Sequence, residues 1–190
     1  MALINRDYPK RWELFDLKTW SASNPNHPDR LLLKKIVKEP PILDVGCGPG
    51  LDSIYYEDYT GCDVTPKLLS YARKRYGAKN LVLCDARCLP FRNKAFKTAY
   101  SKGLVIHYPQ NEGMKMLFEI LRVASKVYIA WGILGRNRNF LPTYDPYIER
   151  TKPGFYNARY DLAELEEHFK ITLVSEGTSV TSIERTVRGT

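Results

Sequence analysis

The stretch Ile42-Leu43-Asp44-Val45-Gly46-Cys47-Gly48-Pro49-Gly50 decides how the rest of the chain is read. A short aliphatic run ends in an acid and then gives way to three glycines at alternate positions. This is the pattern of a buried strand that breaks into a tight turn and opens a helix. Glycine suits such a turn because it reaches positive φ and lets a ligand lie against backbone N–H groups at the helix start. A nucleotide-type ligand is the general expectation, with a plain turn as the alternative. The run is not Gly-x-Gly-x-x-Gly and no Gly-Lys-Ser/Thr follows, so neither a dinucleotide site nor a phosphate-gripping loop fits.

Working outward, the same strand-to-acid pattern returns twice. A brief helix over Leu51 to Tyr56 leads to a second strand, Tyr59 to Cys62, which ends at Asp63. Asp63 follows Asp44 by 63 − 44 = 19 residues, close to the interval of about 20 at which an acid meets ribose hydroxyls in nucleotide-binding α/β units. A carboxylate fits vicinal hydroxyls as a fork. Thr65 and Pro66 then start a helix through Leu68, Leu69, Ala72 and Tyr76 that stops at Gly77. The third strand, Leu81 to Cys84, ends in Asp85-Ala86. Parallel strands would bring the three acids to one rim.

Upstream, Pro28 suits the first turn of a helix whose Leu31, Leu32, Ile36 and Val37 point inward, and Glu39-Pro40-Pro41 ends it. Before it, Tyr8, Trp12 and Phe15 recur at near-helical steps within Tyr8 to Trp20, either as packing on the core or as a cap over a pocket. The chain has 190 residues, 44% hydrophobic and 26% charged, which are ordinary values for one globular domain and unlike those of disordered chains. There is no membrane-length apolar run and no signal-peptide core, so a cytoplasmic protein is expected. The net charge of +8 would suit an anionic partner. However, Lys34-Lys35 and Arg73-Lys74-Arg75 fall where helices present solvated faces. Cys47, Cys62, Cys84 and Cys88 match no zinc spacing, so no metal is expected; buried free thiols are the first reading and a disulfide the alternative.

The acid followed by Gly-x-Gly-x-Gly resembles the first motif of the class I S-adenosylmethionine-dependent methyltransferases. The string Asp85-Ala86-Arg87-Cys88-Leu89-Pro90-Phe91 resembles the same family's Asp-Ala-x-x-Leu-Pro-Phe segment. Further on, Lys102-Gly103-Leu104-Val105-Ile106-His107-Tyr108-Pro109 is similar to its fourth motif, and Glu119-Ile120-Leu121-Arg122-Val123 to its usual helix. Two departures stand out. Phe96-Lys97 replaces the family's Phe-Asp, which implies altered surface charge, and Ala124-Ser125-Lys126 replaces a Pro-Gly-Gly turn, which implies a tighter connection.

The resemblance implies a three-layer, doubly wound, seven-stranded α/β sheet in order 3-2-1-4-5-7-6, mostly parallel with an antiparallel last strand. The later elements are strand Thr98 to Ser101, a helix burying Met114, Leu117, Phe118, Leu121 and Val123, and strand Val127 to Trp131. A helix capped by Asp161 and carrying Leu162, Leu165 and His168 follows, and then a closing hairpin of Ile171 to Ser175 and Val180 to Val187. As one domain over 1–190, the chain divides into an N-terminal cap and helix (1–40), a cofactor core (41–131), an acceptor or lid insertion (132–160) and a closing helix and hairpin (161–190).

The implied function is methyl transfer from S-adenosylmethionine to a small molecule by in-line displacement, with S-adenosylhomocysteine as product. The alternatives are an RNA or protein acceptor, or a catalytically silent cofactor-binding subunit. The cofactor would meet Asp44, Gly46, Cys47, Gly48, Gly50, Asp63, Val64, Asp85, Ala86 and Ser101. Catalytic candidates are Tyr108, as an aromatic face for the sulfonium, and His107, which is either a base or a structural histidine. Substrate candidates are Trp12, Arg136, Tyr144, Tyr156 and Arg159, the last four in a long segment, Gly132 to Tyr160, without clear periodicity. A monomer or homodimer without membrane contact is expected.

Overall fold

Strand β1 (Ile42–Val45) is buried along its whole length. It pairs in parallel with β2 (Tyr59–Asp63) on one side and with β4 (Phe96–Lys102) on the other. Parallel neighbours need crossovers, and the crossovers cover both faces of the sheet. The computed structural model, which describes residues 24–131, 160, 162–175 and 178–186, adds β3 (Leu81–Leu83), β5 (Ala124–Ala130), β6 (Phe169–Leu173) and β7 (Val180–Arg185). The sheet order is β3-β2-β1-β4-β5-β7-β6, and β7 runs antiparallel to both β5 and β6. This is the order and the antiparallel insertion that the sequence led us to expect.

Alternation along the strands sorts side chains between two layers. Ile42 and Tyr100 pack with Leu33 and Val37 under helix α1 (Pro28–Ile36). Tyr59 and Leu81 pack with Leu69 and Ala72 of α2 (Pro66–Tyr76) on the crossover side that also holds the 3-10 turn η1 (Leu51–Tyr55). On the opposite face, Leu43, Val45, Ala99 and Ile129 meet Leu117, Ile120 and Val123 of α3 (Gln110–Val123) and Leu165 of α4 (Leu162–His168). Gly77 closes α2 in the left-handed region at φ 68°. A second 3-10 turn, η2 (Val105–His107), precedes α3.

Three expectations change in detail. Leu32, Ile36 and Val37 pack inward as expected, but Leu33 is buried at 2% exposure where Leu31, expected inward, stands 51% exposed. Three consecutive leucines do not fix a helical phase; the buried Asp29 does. It accepts the Ser179 N–H at 2.8 Å and the Ser179 hydroxyl at 2.6 Å, tying α1 to the start of β7. Strand β4 begins at Phe96, two residues before the expected Thr98. Cys88 is exposed, in contrast to the buried Cys47 and Cys62, and all four cysteines are free.

The expected tight passage from α3 to β5 is present, because Ala124 begins the strand directly after Val123 ends the helix. Lys94 completes it. Its ammonium donates to the carbonyls of Leu121 at 2.9 Å and Ala124 at 2.6 Å, a cation on the helix C-terminus. Lys97 is exposed, as the departure from Phe-Asp implied.

The two residues flanking 132–159 meet. The Trp131 and Tyr160 rings are 5.6 Å apart in an edge contact, and both residues are buried. The Tyr160 hydroxyl lies between the carbonyl oxygens of Val105 and Tyr108, at 2.7 and 3.0 Å. Gly113 makes room for it, since a Cβ there would stand 1.8 Å from the Tyr160 oxygen. Replacing Gly113 with Ala is therefore expected to cost about 1–3 kcal/mol by overpacking and to shift Trp131 fluorescence. Urea unfolding and emission spectra check both.

Candidate functional site

The carboxyl ends of β1, β2 and β3 lie side by side at one edge of the sheet, and the glycine turn follows β1 there. The N–H groups of Gly46 and Cys47 both donate to the Cys62 carbonyl, at 2.8 and 2.9 Å, which fastens the turn to the end of β2. Gly46 and Gly50 adopt φ of 74° and 72°. A Cβ on Gly46 would lie 2.9 Å from Leu104, and one on Gly50 would lie 2.4 Å from the Ala72 Cβ. The chain's own packing thus requires glycine at these two positions, whatever else approaches the turn. Cys47 is nearly buried, with its sulfur against Gly61.

Asp63 does more than end a strand. One carboxylate oxygen accepts the Gly48 N–H at 2.9 Å and the other the Thr65 N–H at 2.8 Å. The side chain is half-buried, so it joins the glycine turn to the start of α2 and still reaches the rim, with Val64 beside it. Burial raises its pKa, opposed by the N–H groups of Gly48 and Thr65. The Thr65 hydroxyl does not cap α2 and has no hydrogen-bond partner among the described residues.

Asp85 is engaged by Arg87. The guanidinium donates from Nε to Oδ1 at 2.9 Å and from Nη2 to Oδ2 at 2.5 Å, and the Arg87 N–H also reaches Oδ1 at 2.8 Å. Burial alone would raise the Asp85 pKa, but these bonds hold it below the ordinary carboxylate value. Ala86 lies beside the small cluster of Tyr108 and Met116.

Asp44 is 3% exposed and accepts the Tyr59 hydroxyl at 2.8 Å. Burial, helped by the nearby Asp52, pushes its pKa up to about 7. Around it sits a group of charges that sequence reasoning missed. Arg30 of α1 donates from Nε to Asp52 in η1, with Arg30 and Asp52 only 4% and 7% exposed. Lys102, at the end of β4, has its pKa lowered by burial and then by Arg30, while Asp52, Asp44 and Asp29 act in the opposite direction. His27 lies near the same group, with its pKa lowered chiefly by burial. The available signal was weak, because Asp29-Arg30 at a helix start reads as ordinary solvated charge.

Ser101 is 1% exposed, and its hydroxyl, like that of Tyr100, has no hydrogen-bond partner among the described residues. His107 ends η2 and is half-buried, and Tyr108 is buried against Met116. Tyr8, Trp12, Arg136, Tyr144, Tyr156, Arg159 and the Asp161 cap lie outside the described residues. Among the described residues no cluster of His, Cys, Asp or Glu could hold a metal, and no helix is long and apolar enough to cross a membrane.

The arrangement places carboxylate acceptors along one rim beside the glycine turn, whose Gly46, Cys47, Gly48 and Gly50 N–H groups all donate within the chain; acceptors are what a ligand with hydroxyl and amino donors requires. Residues 42–126 match the family described as Methyltransferase domain. The chain is 31% identical over 105 residues to the malonyl-[acyl-carrier protein] O-methyltransferase of Pseudescherichia vulneris, covering 51% of this chain and 41% of that protein. It is 31% identical over 106 residues to the probable tRNA methyltransferase 9B of Homo sapiens, covering 52% and 23%. The chain therefore spans less than half the length of either relative. Among solved structures, the PH0226 protein of Pyrococcus horikoshii OT3 superposes with a TM-score of 0.64 at 19% identity, covering 93% of this chain and 99% of that one.

The raised Asp44 pKa has a signed consequence. The unfolded chain releases this proton near pH 3.8, whereas the folded chain keeps it up to about 7. Between those values the folded state holds more protons, so this group makes stability fall as pH rises. In Asp44→Asn that contribution is absent. The variant should gain on the wild type between pH 4.5 and 7.5, as measured by paired urea midpoints.

Proposed function

We propose that this chain, whose residues 42–126 match the methyltransferase domain family, is a class I S-adenosylmethionine-dependent methyltransferase that transfers a methyl group to a small-molecule acceptor. The observation that carries the proposal is the rim itself, with Asp44, Asp63 and Asp85 at or just beyond three adjacent parallel strand ends around a glycine turn. The ligand-free fit is good. Asp63 keeps reachable lone pairs for ribose hydroxyls, with Val64 alongside, and Asp85 and Ala86 stand at the adenine end. In this reading the glycine turn of Gly46, Cys47, Gly48 and Gly50 would lie along the amino acid end near Asp44, and the buried Ser101, whose hydroxyl has no partner among the described residues, would stand behind it.

S-adenosylmethionine supplies a methyl group already activated on a sulfonium, so no covalent nucleophile of the protein is needed. The chain's task is to orient the acceptor in line with that bond and to exclude water. In this reading Tyr108 would offer an aromatic face, and His107 would either take a proton from an acceptor that is not already ionised or serve as a structural histidine. Tyr8 to Trp20 and Gly132 to Tyr160 would form the acceptor's cover in this reading, with Trp12, Arg136, Tyr144, Tyr156 and Arg159 as contacts. The meeting of Trp131 and Tyr160 beside Val105 and Tyr108 supports that placement for the second segment, because it roots the segment next to the His107 strip.

A second reading, an RNA acceptor, is favoured by the charge of +8, by an α2 that carries Lys67, Arg73, Lys74 and Arg75 with no acid, and by the tRNA methyltransferase relative. The small acceptor is preferred because no nucleobase-amino motif follows β4. A cytoplasmic location and a monomer or homodimer complete the proposal.

Transfer of label from methyl-labelled S-adenosylmethionine into lysate separated into small molecules, RNA and protein decides among the acceptors. Label in the small-molecule fraction is the expected result. By calorimetry the chain should bind S-adenosylhomocysteine and not NAD. Asp63→Ala should weaken binding by about 1.5–3 kcal/mol, the range for hydrogen bonds to a charged group. Wild-type affinity in that variant would assign the ribose to another residue.

A further inference from the structure

Arg87 bridges two acids from different parts of the chain. One edge of the guanidinium forks onto both oxygens of Asp85. Its other end donates from Nη1 to Glu112 Oε2 at 2.6 Å, and the second Glu112 oxygen accepts Lys115 Nζ at 2.9 Å. Glu112 is buried in the first turn of α3, a position where the helix itself favours an acid. The far end of the arginine is thus anchored, and the fork on Asp85 is held in one plane. The Asp85 side chain remains 38% exposed, so the fixed carboxylate, chiefly through Oδ2, can still accept a further hydrogen bond.

We propose that Arg87 is a specificity-determining residue that restricts the nucleobase end of the site to a ring presenting an amino donor and excludes the same ring carrying a carbonyl. The inference rests on the cofactor reading above. An ionised carboxylate only accepts hydrogen bonds, so it pairs with an amino group and repels a carbonyl oxygen; a protonated one also donates and tolerates both. A carboxylate of ordinary pKa is already ionised near neutral pH; what the bidentate match of Arg87 adds is one fixed orientation of Asp85, without loss of the arginine's charge. Lysine would keep the charge without the fork. A freely rotating Asp85 would meet a 6-oxo ring through an edge turned aside or through an intervening water, at much smaller cost.

The test compares two ligands, S-adenosylhomocysteine and its 6-oxo counterpart S-inosylhomocysteine, on the full chain by calorimetry. The wild type should favour the amino ligand by about a hundredfold, the upper end for a hydrogen bond to a charged group. Arg87→Met should reduce that ratio about tenfold, and Arg87→Lys should fall between the two. An unchanged ratio in Arg87→Met, even with a lowered melting temperature, overturns the proposal and leaves Arg87 a purely structural bridge. A wild-type ratio in Arg87→Lys overturns it even if Arg87→Met does not fold. A wild type that binds neither ligand removes the cofactor reading and this inference with it, whereas one that binds both equally removes only this inference.

Discussion

The burial of β1 on both faces is the constraint from which the rest follows. A strand with no solvated face must satisfy its backbone through neighbours on both sides, here β2 and β4 in parallel. Polar chemistry can then appear only where the strand ends, and Asp44, Gly46 and Gly48 stand there. The backbone bonds from Gly46 and Cys47 to Cys62, together with the Asp63 carboxylate on Gly48, turn two strand ends and a loop into one rigid edge. The same edge cannot be rebuilt with larger side chains, since Leu104 and Ala72 already fill the space beside two of its glycines.

Beneath that edge the molecule tolerates a concentration of buried charge. Arg30 and Asp52 pair where the penalty for removing ions from water is high, and such pairs tend to be retained for what they position more than for net stability. Here the pair connects α1 to η1 under Asp44, while Asp29 connects the same helix to Ser179 near β7. The N-terminal helix is thus fixed by electrostatics at its first turn and by Leu33 and Val37 farther along.

Strand ends, glycines and acids were legible in the sequence because each carries a local signature: a β-branched run, a φ requirement, a carboxylate at a set interval. The sheet order was legible only through the family resemblance, since nothing local in Val180 to Arg185 says that it inserts between β5 and β6. The partners of the acids were not legible at all. Arg30 finds Asp52 across 22 residues of chain and Arg87 finds Glu112 across 25, contacts that depend on the fold and leave no periodic trace. Leu31 was misplaced for the same reason, because a long-range bond to Asp29 helps decide which of three consecutive leucines turns outward. Tyr160 went unnoticed as an anchor because its partners are backbone carbonyls, which every sequence possesses.

That anchor changes how the chain can vary. Trp131 and Tyr160, which flank residues 132–159, meet in the core, so their contact offsets part of the entropy of bringing those two chain positions together. Closure entropy grows only logarithmically with length, about 0.6 kcal/mol for each doubling. Insertions or deletions between these two residues therefore place little load on the sheet. A lineage built on this frame can exchange the whole connection while the glycine edge and its acids stay unaltered, and in that sense the Trp131–Tyr160 contact acts as a socket.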